Sequence, residues 1–148
     1  LSISSAMLAD VNQITRTGKS VMTIENLTSF HRVNQPDTLM IYLGGFHNQI
    51  RRDFVRKIAD RNPEVSFFHF GDIDAGGFYI FEHLRQQTGV DFKPYHMDRE
   101  TLLQYRRYTK KLTENDRKRL KKLVCGRFKD VIDYMLEHDC KLEQEAID

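Results

Sequence analysis

Four short apolar runs alternate with segments of helical periodicity, and this alternation constrains the fold more than any other feature of the sequence. The runs cover residues 20–25, 38–43, 65–70 and 92–97. The segments between them predict helices at 27–33, 47–61 and 78–87. Strands that alternate with helices are joined by right-handed crossovers and form a parallel sheet. We therefore predict a small doubly wound α/β domain, with a sheet of about four strands flanked by helices.

The chain after residue 98 is predicted to be helical. We expect helices at 99–108 and 113–124. Thr113 is the predicted cap of the second helix, and the first turn of that helix is acidic. A last amphipathic helix carries one apolar face, formed by Phe128, Val131, Ile132, Met135 and Leu136. The length of 148 residues fits one domain. We assign that domain to residues 20–148, and residues 1–19 to a helix and linker remnant of a longer protein.

Composition excludes several classes of protein. The two cysteines, Cys125 and Cys140, form no CxxC pair and no zinc-type cluster, which favours a reducing compartment and argues against a zinc site. No run approaches the roughly 18 apolar residues of a membrane span, and the N-terminus has no signal-peptide pattern. We expect a soluble cytoplasmic protein that does not enter a membrane.

The charge of the chain is unevenly distributed. Residues 106–127 carry ten Lys and Arg against two acids, whereas residues 128–148 carry two against seven. A basic stretch of this density suits the phosphates of a nucleic acid. The alternative is a solvated helical face.

Two aspartates mark the end of the third apolar run, in the sequence Gly-Asp-Ile-Asp-Ala-Gly-Gly-Phe-Tyr at residues 71–79. Asp72 and Asp74 are spaced i, i+2 and point the same way, at the sheet edge where α/β domains bind ligands. Two carboxylates crowded there repel each other unless a cation lies between them. Mg2+ or Mn2+ is typical of such a site.

Glu25 ends the first run, so a third carboxylate is predicted at the same edge. In such a cluster the aspartates hold a metal ion while the glutamate moves a proton or shares the ion, which suits phosphoryl chemistry. Gly76 and Gly77 allow close approach of the backbone, and the helix N-terminus favours an anion. The structural alternative is that Asp74 caps the helix and Asp72 lies in a solvated loop.

Three motifs together resemble a known family. They are Thr-Ile-Glu-Asn-Leu-Thr-Ser-Phe around Glu25, Tyr-Leu-Gly-Gly-Phe at residues 42–46, and Gly-Asp-Ile-Asp-Ala-Gly-Gly-Phe at residues 71–78. They are similar to the Toprim domain, above all to the C-terminal Toprim part of the JetD family, the nuclease subunits of Wadjet anti-plasmid defence. The likeness to the topoisomerase VI A subunit is more distant. The similarity covers residues 20–148, including Lys-Leu-Glu-Gln-Glu at 141–145.

The resemblance implies a Toprim-like fold and Mg2+-dependent cleavage of DNA phosphodiester bonds. Glu25 would act as general acid/base or metal ligand, and Asp72 and Asp74 as ligands of the divalent cation. The likeness to JetD implies hydrolysis of double-stranded DNA with an SMC-type ATPase complex as partner, and the topoisomerase relatives imply a homodimer. Asn26 and the Ala75-Gly76-Gly77 turn depart from the topoisomerase pattern, which weakens a topoisomerase interpretation more than a nuclease one.

Other polar residues are weaker candidates. Glu143 and Glu145 are candidates for additional metal ligands, although glutamates at a helix end usually face solvent. Candidates for DNA backbone contacts follow the second strand or lie in the basic stretch: His47, Arg51, Arg52, Lys110, Lys111, Arg117 and Lys118. Two alternative functions stay open, a non-catalytic module that docks on DNA or a partner, and a topoisomerase VI A-like DNA breakage domain.

Overall fold

The computed structural model describes residues 20–44 and 49–147, which form a four-stranded parallel sheet flanked by helices. The strands are β1 (Ser20–Ile24), β2 (Thr38–Tyr42), β3 (Ser66–Phe70) and β4 (Lys93–Pro94). Their order across the sheet is β2-β1-β3-β4, and all three pairings are parallel. The predicted α/β class is confirmed. The helix and linker predicted at 1–19 lie outside the described residues.

Six α-helices and two 3-10 turns accompany the sheet in the described part of the chain. The helices are α1 (Leu27–Arg32), α2 (Gln49–Arg61), α3 (Ala75–Thr88), α4 (Arg99–Gln104), α5 (Glu114–Lys121) and α6 (Lys129–His138). The 3-10 turns are Arg106–Tyr108 and Gln144–Ala146. The predicted cap of α5 is confirmed, because Thr113 and Asp116 form a reciprocal capping box.

Several predicted elements have different bounds in the structure, among them the fourth strand and the helix that follows it. The fourth strand is shorter than residues 92–97, because His96 adopts a φ of 51° and turns the chain out of the extended region. Just before this turn, the backbone N–H of Tyr95 donates a hydrogen bond to the carbonyl of His69 in β3, at 2.8 Å. The helix predicted at 99–108 ends at Gln104 and gives way to a 3-10 turn.

Aromatic and aliphatic side chains pack between the sheet and its helices. Phe54 of α2 and Phe78 and Phe81 of α3 are fully buried. Phe78 also stacks on Phe128, with ring centroids 4.4 Å apart, so α3 is held between the sheet and the segment that leads into α6. Ile50, in the first turn of α2, is 56% exposed.

The sheet order places a topological switch point between β1 and β3. The chain passes from β1 outward to β2, and then crosses over β1 to reach β3 on the other side. In open α/β sheets, ligands bind beyond the carboxyl ends of the strands at such a point. Across the described ranges, no helix is both long enough and apolar enough to cross a membrane.

Candidate active site

The ends of β1 and β3 bring the predicted acidic residues to one edge of the sheet. Glu25 directly follows β1, and its backbone N–H donates to the carbonyl of Phe70, the last residue of β3, at 3.2 Å. Asp72 and Asp74 follow β3 immediately. The acids, which come from distant parts of the sequence, therefore lie at the same edge of the sheet, beside its switch point.

The Glu25 side chain is buried against β3. Its Oε1 lies 2.8 Å from Nε2 of His69, and only 7% of the side chain is exposed. Gly71 provides the space, because a Cβ at that position would lie 2.2 Å from the same oxygen. Burial, reinforced by the negative charge of Asp74, raises the pKa of Glu25 to about 9. The pocket therefore favours a protonated Glu25 unless positive charge is supplied.

Asp72 is half-buried and joins the same electrostatic cluster. Its Oδ1 accepts a hydrogen bond from the backbone N–H of Gln144 at 2.7 Å. The pKa of Asp72 is raised to about 7, mainly by burial and in smaller part by the charges of Asp74, Glu25 and Glu143, while the hydrogen bond from that N–H lowers it. Since burial and the neighbouring charges disfavour the ionised forms of Glu25 and Asp72, a bound cation would stabilise both carboxylates.

Asp74 is the N-cap of α3, as the structural alternative predicted. Its Oδ1 accepts from the backbone N–H of Gly77 at 2.7 Å, so the helix begins at Ala75 rather than at Phe78. Gly77 is required there because a Cβ would lie 2.0 Å from the carbonyl oxygen of Asp72. The other half of that alternative is wrong: Asp72 is not in a solvated loop, because the C-terminal segment covers it.

The carboxylates fit a hard divalent cation only in part. Within residues 20–44 and 49–147, no three His, Cys, Asp or Glu side chains form a ready-made metal-binding group. Magnesium, however, is commonly held by one or two carboxylates, with waters and substrate phosphates completing its shell. Each aspartate uses Oδ1 for its hydrogen bond to the described chain. Asp72 and Asp74 together therefore suit such a partial ligand set.

A C-terminal strap, residues 141–147, crosses the two strand ends. Leu142 pairs with Ile73 through two backbone hydrogen bonds. The fully buried Gln144 side chain donates to the carbonyl of Phe70 at 3.0 Å and accepts from the N–H of Asn26 at 3.2 Å. Gln144 thus links the end of β1, the end of β3 and Asp72, a role that the sequence analysis missed.

The two glutamates of the strap differ in position. Glu143 is exposed and forms an ion pair with Lys110 at 2.8 Å, yet it is near enough to Asp72 to raise the pKa of that carboxyl. Glu145 accepts a hydrogen bond from the Asn26 side chain at 2.7 Å. Glu143 therefore lies at the mouth of the site, whereas Glu145 holds the strap against the end of β1.

The candidate DNA-contacting residues lie in different surroundings. Arg51 donates to the carbonyl of Leu43 and lies over the Tyr42 ring, and Arg52 donates to Gln49 at 2.9 Å. His47 lies outside the described residues.

In the basic stretch, Arg117 is held by Asp139 at 2.6 Å and by the carbonyl of Leu136, so it joins α5 to the end of α6. Lys111 and Lys118 are exposed. Arg119, which sequence reasoning missed, has a guanidinium nitrogen 3.8 Å from the position that a Cβ on Gly76 would occupy. The exposed Arg119 therefore flanks the acidic cluster.

Known proteins show clear similarity to this chain. It is 31% identical over 137 residues to the Wadjet protein JetD of Bacillus cereus (strain Q1), a match that covers 87% of the chain. The chain spans about a third of that relative, 34% of its length. The family model of the C-terminal part of the Wadjet protein JetD matches residues 1–148. The chain therefore belongs to the JetD C-terminal family.

Proposed function

We propose that this chain is a Toprim-type nuclease domain that hydrolyses DNA phosphodiester bonds with Mg2+ or Mn2+. One observation carries the proposal: Glu25, Asp72 and Asp74 lie together at the switch point of a parallel sheet, where burial and neighbouring carboxylates raise the pKa values of Glu25 and Asp72. Clustered carboxylates with strongly perturbed pKa values in such a place are typical of catalytic sites. The fold and the family membership support the same interpretation.

The residues have separate tasks in this mechanism. Asp72 and Asp74 would hold the divalent ion, and Glu25 would share it. A bound divalent ion supplies positive charge that neutralises the charge growing on a phosphate oxygen. Glu25, whose pKa is raised to about 9, holds a proton near neutral pH and is placed to give or take one during cleavage. Gln144 keeps Asp72 in place through the hydrogen bond at 2.7 Å.

Exposed cations around the acidic cluster would contact the DNA backbone. Arg119 lies beside the start of α3, Lys110 lies at the mouth of the site, and the exposed Lys111 and Lys118 extend the basic surface. Cations of this kind position a duplex without reading its sequence. Arg117 is left out of this set because its partly buried guanidinium joins two helices through Leu136 and Asp139. The ion pair between Lys110 and Glu143, in contrast, is exposed.

The family suggests the biological setting. A relative whose name places it in the Wadjet system matches most of this chain. We infer that the protein cleaves double-stranded plasmid DNA in the cytoplasm, as a homodimer working with an SMC-type ATPase complex. The alternative is a docking module that binds DNA or a partner without cleaving, which is favoured by the lack of a ready-made three-residue metal group in the described part of the chain.

A plasmid cleavage assay tests the proposal. Supercoiled plasmid is incubated with the protein, alone and with its Wadjet partners, in Mg2+, in Mn2+ and in EDTA. We expect metal-dependent cleavage that Glu25→Gln and Asp72→Asn each abolish. Glu64→Gln is the matched control, because Glu64 is exposed and away from the site. Equal cleavage by the wild type and Glu25→Gln would refute the nuclease assignment and leave the docking module.

A further inference from the structure

Two buried polar side chains lie behind Glu25. Thr23 and His69 are both fully buried, and they are opposite each other in the register between β1 and β3. Thr23 and Glu25 are spaced i, i+2, so their side chains share one face of the sheet. Polar groups buried this deeply are retained where they have hydrogen-bond partners.

These residues form a chain of hydrogen bonds that ends on the Glu25 carboxylate. The Thr23 hydroxyl lies 2.7 Å from Nδ1 of His69, and Nε2 of His69 lies 2.8 Å from Oε1 of Glu25. The other acceptor near the hydroxyl, the carbonyl of Phe68, is at 3.4 Å. With a divalent cation bound, Glu25 would be ionised and could only accept a hydrogen bond, so the proton of the neutral ring would be on Nε2. Nδ1 is then an acceptor, and the Thr23 hydroxyl donates to it.

The surroundings leave the His69 ring little freedom. The ring lies 6.0 Å from that of Phe81, centroid to centroid, and a Cβ on Gly71 would be 3.1 Å from Nε2. The imidazole is therefore packed on one side by α3 and on another by the end of β3. The packed ring therefore holds Nε2 of His69 in one position beside the carboxylate of Glu25.

We propose that His69, oriented by Thr23, is a positioning residue that holds the Glu25 carboxylate for metal binding and proton transfer. This inference rests on the proposed function. Partners that hydrogen-bond to the residues of a metal site orient them, and their loss typically lowers metal affinity or activity about 10- to 100-fold.

Two pairs of substitutions test the inference through Mn2+ affinity, measured by titration calorimetry on the full chain. His69→Leu removes the donor, whereas His69→Gln retains an N–H within reach of Glu25. Thr23→Val removes the hydroxyl with little change in shape, whereas Thr23→Ser keeps it. We expect His69→Leu and Thr23→Val to weaken Mn2+ binding about 10- to 100-fold, and the Gln and Ser variants to keep most of the affinity.

Thr88→Val is the matched control. Thr88 is another buried threonine, and its hydroxyl donates to the carbonyl of Leu84 at 2.7 Å, away from the acids. This variant should lose stability without losing Mn2+ affinity. Nitrogen-15 NMR of the Mg2+-loaded protein should also find the His69 proton on Nε2, and should find that preference weakened in Thr23→Val.

The outcomes separate this inference from the proposed function. If folded His69→Leu binds Mn2+ like the wild type, or if Gln and Leu reduce affinity equally, His69 is a packing residue and the inference is overturned while the nuclease proposal stands. If His69→Leu does not fold, Thr23→Val against Thr23→Ser decides the question. If the wild type binds no Mn2+, or if Asp72→Asn binds Mn2+ as tightly as the wild type does, both proposals fail.

Discussion

The substitution Gly71→Ala probes the tight fit of Glu25 against the end of β3. The added Cβ would lie 2.2 Å from Oε1 of Glu25 and 2.8 Å from its carboxyl carbon, which is closer than real Cβ contacts come. The His69 ring, 3.1 Å from the same point, blocks one direction of escape. Overpacking of this kind costs about 1–3 kcal/mol, and loss of the Glu25–His69 hydrogen bond adds about 1 kcal/mol. We therefore expect Gly71→Ala to destabilise the chain by about 2–4 kcal/mol, the sum of the two costs, and to abolish cleavage.

The assay is urea unfolding in EDTA, carried out as a double-mutant cycle with Glu25→Ala. Removing the Glu25 side chain removes both the clash and the hydrogen bond, so the two substitutions should couple by about 2–4 kcal/mol. Gly126→Ala is the control, because the nearest atom to its added Cβ is at 3.5 Å, an ordinary contact. A Gly71→Ala loss of the same size with and without the Glu25 side chain would refute the reasoning.

Two further predictions concern the acids and the basic stretch. In EDTA the free energy of unfolding should fall as pH rises from about 5 to about 9, because the pKa of Asp72 is raised to about 7 and that of Glu25 to about 9, so the folded chain keeps protons that the unfolded chain loses. Glu25→Gln should remove up to roughly 1.4 kcal/mol per pH unit of that slope between about pH 7 and 9, and parallel urea-unfolding profiles would contradict this. Arg117→Met should destabilise the chain by about 1 kcal/mol, since Arg117 bridges Asp139 and Leu136. Lys118→Met should instead leave stability unchanged and lower the salt dependence of DNA binding by about 0.9 in logarithmic slope, as measured by fluorescence anisotropy; the reverse pattern would show that Lys118 is the structural residue.

Local patterns in the sequence were sufficient to predict the fold class. The alternation of apolar runs and helices predicts a parallel sheet, and the acids at the ends of the first and third runs predict their meeting. The cap at Thr113 follows from residues only three positions apart. The bounds of β4 were wrong because the left-handed conformation of His96 has no signal in hydrophobic periodicity.

Contacts between distant parts of the chain could not be read from the sequence. Gln144 meets Phe70 only because the strap folds back over the sheet, and no periodicity links the two residues. In the sequence His69 is simply one polar residue in an apolar strand. Only the register between β1 and β3 shows that Thr23 lies opposite it. Arg117 and Arg119 look equivalent in a basic stretch, but one joins two helices and the other lies beside the acids. Tertiary packing alone distinguishes them.

Anomalous diffraction from a crystal soaked in Mn2+ tests the central claim most directly. We predict a peak in direct contact with the carboxylates of Asp72 and Asp74, beside Glu25, that disappears in Asp72→Asn. Saturating Mn2+ that gives no peak at the ends of β1 and β3, or a peak only elsewhere on the protein, would contradict the proposed metal centre.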